Sequence, residues 1–226
     1  MIILDKWLTE QFNYNVYFLK KIDFNNLNFS NFNGRTFIYF KSPILNNKQI
    51  KFLVLKGFTL IEKNIQFKLQ IKKNYKNKKN FRVANIKDKE VIKNISKTAF
   101  INSRFFIDPN IDNLIAEKIK TKWIDNYFKG NRGDILIVSE ENNTISGFIL
   151  LLFKGEKIII DLIAVKNEFR GKDIATNLIN YTINKFNNYK YLIVGTQKKN
   201  NASIKLYEKN NFVIESKGYI FHKHIF

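Results

Sequence analysis

Apolar positions in the second half of the chain follow two distinct periods. From residue 135 to 165 they run almost unbroken, interrupted at Asn142-Asn143-Thr144 and at Lys154, Glu156 and Lys157. Short apolar runs bounded by turn residues predict strands, here 135–139 and 145–153 as a hairpin, then 157–165. The last is apolar almost throughout, as expected of a strand covered on both faces. Elsewhere the spacing is helical. Asp88 can cap a helix through Val91, Ile92, Ile95 and Phe100, and Leu114, Ile115, Ile119, Trp123 and Ile124 form one stripe of a helix over 111–127. A strand at 81–86 precedes these. A helix over 172–186, a strand at 191–194, a helix over 202–209 and closing strands from Phe212 complete the series. The order predicts an α/β (α+β) fold with a mixed sheet.

Residues 71–80 carry five Lys in ten positions and little to bury. Such a stretch reads as a solvated linker. It divides an N-terminal α/β part, 1–80, from a C-terminal part, 81–226. The N-terminal part holds an echo. Residues 36–71 laid without a gap on 190–225 bring Phe37-Ile38-Tyr39-Phe40 onto Tyr191-Leu192-Ile193-Val194, Asn46-Asn47 onto Asn200-Asn201, and Phe58 onto Phe212. The shared order of strand, Asn pair, helix, Phe and strand suggests a degenerate half-repeat. Leu53 stands where the C-terminal copy has Tyr207.

Composition narrows the classes. With 45% hydrophobic and 26% charged residues, the 226-residue chain has the balance of a folded globular protein. It has no Cys, which excludes disulfides, a catalytic thiol, Cys-ligated zinc and iron–sulfur clusters. The formal net charge is +20, yet only five of the 39 basic residues are Arg. Arg is the preferred reader of bases and bidentate binder of phosphate. An excess of Lys, Asn and Ile is also what an AT-rich genome imposes on any protein. The charge is therefore read as a field that attracts anionic substrates, with no nucleic-acid partner. No apolar run approaches the ~20 residues of a membrane span, and the start of the chain shows no signal-peptide core. No membrane insertion and a cytoplasmic location are expected.

The sharpest chemical signal lies where the strand at 157–165 gives way to a helix. Arg170-Gly171-Lys172 opens that helix, followed by Asp173-Ile174-Ala175. Unpaired N–H groups at a helix start, the helix dipole, Gly171 and the small Ala175 together make a pyrophosphate cradle. Neither a Walker loop nor GxGxxG is present. The segment resembles the acetyl-CoA motif of the GNAT acetyltransferase superfamily, Gln/Arg-x-x-Gly-x-Gly/Ala. Asp173 stands where that motif usually has Gly. A second motif follows: Asn200-Asn201-Ala202-Ser203…Tyr207…Asn211-Phe212 resembles Asn-x-x-Ala-x-x-x-Tyr…Gly-Phe of the same superfamily. Ser203 replaces Ala, and Asn211 replaces a Gly.

A narrower resemblance covers nearly the whole chain. Ala99-Phe100-Ile101-Asn102-Ser103-Arg104-Phe105, Lys122-Trp123-Ile124-Asp125-Asn126 and Gly195-Thr196-Gln197 are similar to segments of the TDP-fucosamine (dTDP-4-amino-4,6-dideoxygalactose) N-acetyltransferases. So, loosely, are the opening around Trp7 and the helix ending Lys56-Gly57-Phe58.

The resemblance implies a GNAT acyltransferase fold with an N-terminal half-GNAT-like extension. It also implies direct transfer from acetyl-CoA (coenzyme A) to the amine of a dTDP- or UDP-linked 4-amino-4,6-dideoxy sugar. The strand 161–165 would splay from its neighbour, and Ile163, Ala164 and Val165 would hold the pantetheine arm. Arg170, Gly171, Lys172, Asp173, Ile174, Ala175, Asn200 and Ser203 would hold the rest of the cofactor. Tyr207 would line the same site and protonate the departing thiolate, since a phenol of reference pKa ~10 keeps its proton at neutral pH. Asp161 is the candidate base, Arg104 the candidate diphosphate ligand and Trp123 the candidate stacking surface.

Each assignment has a plainer rival: Tyr207 as a core residue, Asp161 as a solvent-facing or Arg104-bound carboxylate, and Arg104 and Trp123 as helix packing. His222 and His224 share one face of the last strand, but no neighbouring carboxylate is visible in the sequence, so no metal is expected. Alternatives to the sugar are a protein, peptide or small-molecule amine. Oligomeric state is left open, a homodimer included.

Overall fold

The computed structural model describes residues 1–24, 27–72 and 80–226. Most of the linker expected at 71–80 falls outside them. The strands are β1 (Ile2–Leu4), β2 (Asn15–Leu19), β3 (Thr36–Ser42), β4 (Thr59–Gln70), β5 (Phe81–Val83), β6 (Ile135–Glu141), β7 (Thr144–Lys154), β8 (Lys157–Val165), β9 (Tyr191–Gln197) and β10 (Val213–Ile225). All ten join one mixed sheet in the order β1-β2-β3-β10-β4-β9-β8-β7-β6-β5. The helices are α1 (Lys6–Phe12), α2 (Asn47–Leu55), α3 (Lys89–Ala99), α4 (Asn113–Phe128), α5 (Ile174–Lys185) and α6 (Asn201–Lys209).

The buried apolar residues divide by face of the sheet. Ile174, Leu178, Ile179 and Ile183 of α5 and Tyr207 of α6 pack on Phe67, Ile149, Ile158, Ile160, Leu192 and Val194. On the opposite face, Ile92 and Ile95 of α3 and Ile124 of α4 cover Leu136, Val138, Phe148, Leu150, Leu162 and Ala164. Two-sided cover explains why β7 and β8 read as continuous apolar runs. Asp88 precedes α3 but does not cap it with its side chain. Its carboxylate instead accepts from Arg82 and from the Asn85 N–H.

The 36–71 and 190–225 segments share more than element order. A shift of 154 positions, Thr36 to Lys190, carries α2 (Asn47–Leu55) onto α6 (Asn201–Lys209) residue for residue. Asn46 and Asn200 both accept from the backbone N–H three residues on. Phe58 and Phe212 both donate their N–H to the carbonyl five residues back, that of Leu53 and of Tyr207. The β-ladder obeys the same shift. Ile214 pairs with Phe67 and Phe221 with Leu60, while Lys217 pairs with Ile65 and Tyr219 with Lys63. The ladder skips Glu215 and Ile61, which are themselves equivalent. The closing strands are exchanged: β4 pairs with β9 and β10 with β3. β3 and β4 of the N-terminal part and β9 and β10 of the C-terminal part thus lie side by side in one sheet.

Candidate active site

β8 and β9 run parallel and pair from Lys157↔Tyr191 to Ile160↔Val194, and there the pairing stops. Beyond that point residues 162–165 keep β7 as a partner, and Gly195-Thr196-Gln197 keep β4. The two strands part, leaving backbone hydrogen-bonding groups free along the facing edges. A bulge marks the parting. Leu150 pairs with Leu162 and Leu151 with Ile160, so Asp161 is the extra residue of β8. A bulge bends its strand and sharpens its twist. It also resets the alternation of side chains: Ile158 and Ile160 face α5, whereas Leu162 and Ala164 face α3 and α4.

The opening encloses about 220 Å³. It is lined by Asp161, Leu162 and Ile163, by Gly195, Thr196 and Gln197, by Asn200, Ser203 and Tyr207, and by Ser103, Lys120 and Trp123. A broader groove of about 820 Å³ shares Asn102 and Gln197 with it and carries Glu62, Lys63, Lys198 and Lys199.

Tyr207 is 2% exposed, set between Phe67 and Phe212 at ring distances of 5.5 Å. Burial raises its pKa above the usual tyrosine value, so the phenol keeps its proton. Asp161 is gripped by Arg132 through two hydrogen bonds of 2.8 Å, one to each carboxylate oxygen. Its partner is thus Arg132 and not Arg104. Lys120 is 4% exposed, with its Nζ 3.9 Å from the Trp123 ring centroid. Burial first, then the charges of Arg104 and Arg132, push its pKa down to about 7 against the opposing pull of Glu62 and Asp161. Trp123 is enclosed further by Trp7, stacked at 6.4 Å, and by Arg132 at 4.6 Å.

α5 begins at Ile174, two residues later than the sequence placed its helix. Arg170, Gly171, Lys172 and Asp173 are exposed, Ile174 is buried beneath them, and Ala175 is half-buried. Gly171 (φ +76°) has open space where a side chain would stand. Asp173 is the residue before the helix and has a left-handed backbone, φ 58° and ψ 14°. That conformation accounts for a Gly preference here, and Asp is among the few other residues that tolerate it. The Asp173 carboxylate accepts from Lys209 of α6 at 2.8 Å. Arg170 Nε donates to the Val165 carbonyl at 3.3 Å.

Arg104 is not among the residues lining the opening or the groove. Its guanidinium lies between the Tyr39 and Phe105 rings and donates to His222 Nε2 at 3.0 Å. His222 Nδ1 and His224 Nε2 approach the same Asp108 oxygen at 2.6 and 2.8 Å. The carboxylate missing from the sequence reading of this His pair is Asp108. These three ligand atoms lie within 4.8 Å of one another. An arginine donor beside the cluster opposes a cation and leaves a hydrogen-bonded network as its role. Arg104 thus holds the 100–112 loop against β10 and is spent inside the protein.

Residues 101–212 match the model of the Acetyltransferase (GNAT) family. The chain carries a GNAT acetyltransferase domain. The matched residues hold the bulged strand, the start of α5 and Tyr207. Spore coat polysaccharide biosynthesis protein SpsD of Bacillus subtilis is 34% identical over 137 residues, 60% of this chain and 47% of that protein. The match thus spans about half the length of this curated relative. A conserved protein of unknown function from Staphylococcus epidermidis has the same fold, with a TM-score of 0.61 at 15% identity over 83% of this chain and 72% of its own. So does a GCN5-related N-acetyltransferase from Sphaerobacter thermophilus, with 0.57 at 11% over 84% and 60%.

Sequence reasoning missed Lys120, Arg132 and Glu62. Lys120 had a signal: it lies three and four residues before Trp123 and Ile124 and so shares their apolar face. Arg132 sits in a loop with none. No helix among the described residues is long and apolar enough to cross a membrane.

Proposed function

We propose that this GNAT domain transfers the acetyl group of acetyl-CoA to the amine of a dTDP- or UDP-linked 4-amino-4,6-dideoxy sugar, for a bacterial surface glycan. The observation that carries this reading is the parting of β8 from β9 with Tyr207 in the opening and a lysine-lined groove beside it. The free edge of β8 at Ile163, Ala164 and Val165 suits the amide-bearing pantetheine arm. The exposed turn at Arg170, Gly171, Lys172 and Asp173, leading into Ile174 and Ala175, suits its pyrophosphate. Asn200 and Ser203 would border the arm near Tyr207. When bound, acetyl-CoA supplies an acetyl group activated as a thioester. A backbone N–H of the free edge would face the carbonyl oxygen as charge develops there. Tyr207 would give its proton to the departing sulfur.

The groove carries the substrate class. Lys63, Lys198 and Lys199 line a volume fit for a nucleotide, next to the opening. Cationic side chains there suit a diphosphate. Trp123 would form the floor under the sugar. Arg104 is not carried forward as a diphosphate ligand. The polysaccharide role in SpsD's name points to the same class of acceptor. A reaction of acetyl-CoA with a nucleotide sugar belongs in the cytoplasm.

The test is thiol release from acetyl-CoA with a panel of dTDP- and UDP-linked 4-amino sugars, with identification of the N-acetylated product. Turnover with one member supports the reading. Acetyl-CoA binding without turnover on any member, but with turnover of a peptide or small amine, removes the nucleotide sugar. No binding removes the cofactor.

A further inference from the structure

The amine that attacks a thioester must lose a proton, and Asp161 is poorly placed to take it because Arg132 holds both of its oxygens. Among the residues lining the opening, one other side chain can accept a proton. Lys120, on α4, lies in the same lining as Tyr207 and Asp161. No carboxylate of the described residues lies within ion-pair distance of it. Its contacts are the faces of Trp123 and Phe100. Glu62 is the rival group, but it lines the neighbouring groove and not the opening.

We propose that Lys120 is the proton acceptor for the attacking amine, working from the α4 side of the opening while Tyr207 donates from the α6 side. This rests on the N-acetyl transfer proposed above but not on the identity of the amine. In the step, the amine nitrogen bonds to the acetyl carbon and the carbon–sulfur bond breaks. The amine proton passes to Lys120 Nζ and the Tyr207 proton to sulfur. Solvent then returns a proton to Tyr207 and takes one from Lys120. The groups facing Lys120 from neighbouring elements are Arg104 in the loop before α4, Arg132 after it, Glu62 on β4 and Asp161 on β8. Burial and the two guanidiniums favour the neutral amine near pH 7. Trp123's face steadies the ammonium once it forms. A lysine desolvated beside other cations is a recognised way to obtain a base at neutral pH.

Two measurements on the full chain test this. The first needs no acceptor: competitive labelling of the folded protein with acetic anhydride across pH, read peptide by peptide. Lys120 is expected to titrate near pH 7, well below the usual lysine value of ~10.4. Titration of Lys120 alongside the exposed lysines overturns the proposal. The second is the pH–rate profile of Lys120→Met, with acetyl-CoA binding checked by thermal shift. The expected result is unchanged acetyl-CoA binding, a kcat lowered by roughly 10²-fold or more, loss of the wild-type acidic limb, and partial rescue of Lys120→Ala by small amines. A variant that keeps both the acidic limb and most of its rate overturns it, as does transfer of that limb's loss to Glu62→Gln. If the wild-type enzyme turns over no nucleotide sugar, the profile is taken with whichever amine it does acetylate. Failure of the substrate reading and failure of Lys120 thus remain distinguishable.

Discussion

Asn64 and Gly218 lie directly opposite each other on β4 and β10, and each is the other's equivalent under the 154-position shift (64 to 218). They mark the centre about which the four-strand ladder β3-β10-β4-β9 repeats. The site depends on this centre, since it positions β9, one lip of the opening.

The pair is tightly fitted. A side chain begun at Gly218 would run into Asn64 Oδ1 and come within 3.0 Å of the Ser42 carbonyl. The Asn64 amide can move, but the Ser42 carbonyl is backbone of a paired strand. Gly218→Ala is expected to cost about 1–3 kcal/mol, the usual range for overpacking. Asn64→Ala in the same chain should recover part of the loss. Urea unfolding of the two single variants and the double variant measures this, and additive losses would remove the coupling.

Acid should unfold the protein through the buried histidine network. Burial holds His222 down to about 3, so the ring is neutral in the fold and protonates on unfolding below its ordinary value of 6.5. The unfolded state then binds more protons across that window, and stability falls as pH falls from about 6.5 toward 3. For Asp108, burial pushes the pKa up, but hydrogen bonds from His222 and His224 outweigh it and hold the carboxyl well below its usual value. That adds loss in the same direction, at lower pH. One group contributes a slope approaching about 1.4 kcal/mol per pH unit. Unfolding free energy followed from pH 7 to 4 should show it, and His222→Asn should flatten it.

Asp173→Gly should tighten acetyl-CoA binding. It removes a carboxylate from the proposed pyrophosphate cradle and places the residue best suited to φ 58° there. It also removes the pair with Lys209, but both partners are more than half exposed, and such pairs contribute little. An affinity gain of roughly 2–10-fold is expected from calorimetric titration, with no loss of Tm. A weaker complex would show that the Asp173–Lys209 pair helps shape the cradle.

The sequence made some of this legible and hid the rest for physical reasons. Apolar runs bounded by turn residues located β6, β7 and β8, and the helix expected over 202–209 is α6, which the structure shows capped by the Asn200 side chain. The bulge at Asp161 was not visible. A strand apolar on both faces carries no alternation from which a one-residue reset could be read. The exchange of β4 and β10 was hidden as well, because equivalent strands satisfy the same pattern with either partner. Lys120 shares the apolar face of α4 with Trp123 and Ile124, but only the fold shows its ammonium 3.9 Å from the Trp123 ring centroid. Asp108 and His222 are far apart in sequence, so only the 100–112 loop closing on β10 could join them.

The account rests on Tyr207 as the acid at the opening, and its most direct test is the rate of Tyr207→Phe. The change leaves the ring between Phe67 and Phe212 and removes only the hydroxyl. The measurement is kcat by thiol release, beside acetyl-CoA affinity for the same preparation. The account predicts unchanged affinity and a kcat lower by about 10²–10⁴-fold. A variant that binds acetyl-CoA equally well and turns over within threefold of wild type would contradict it.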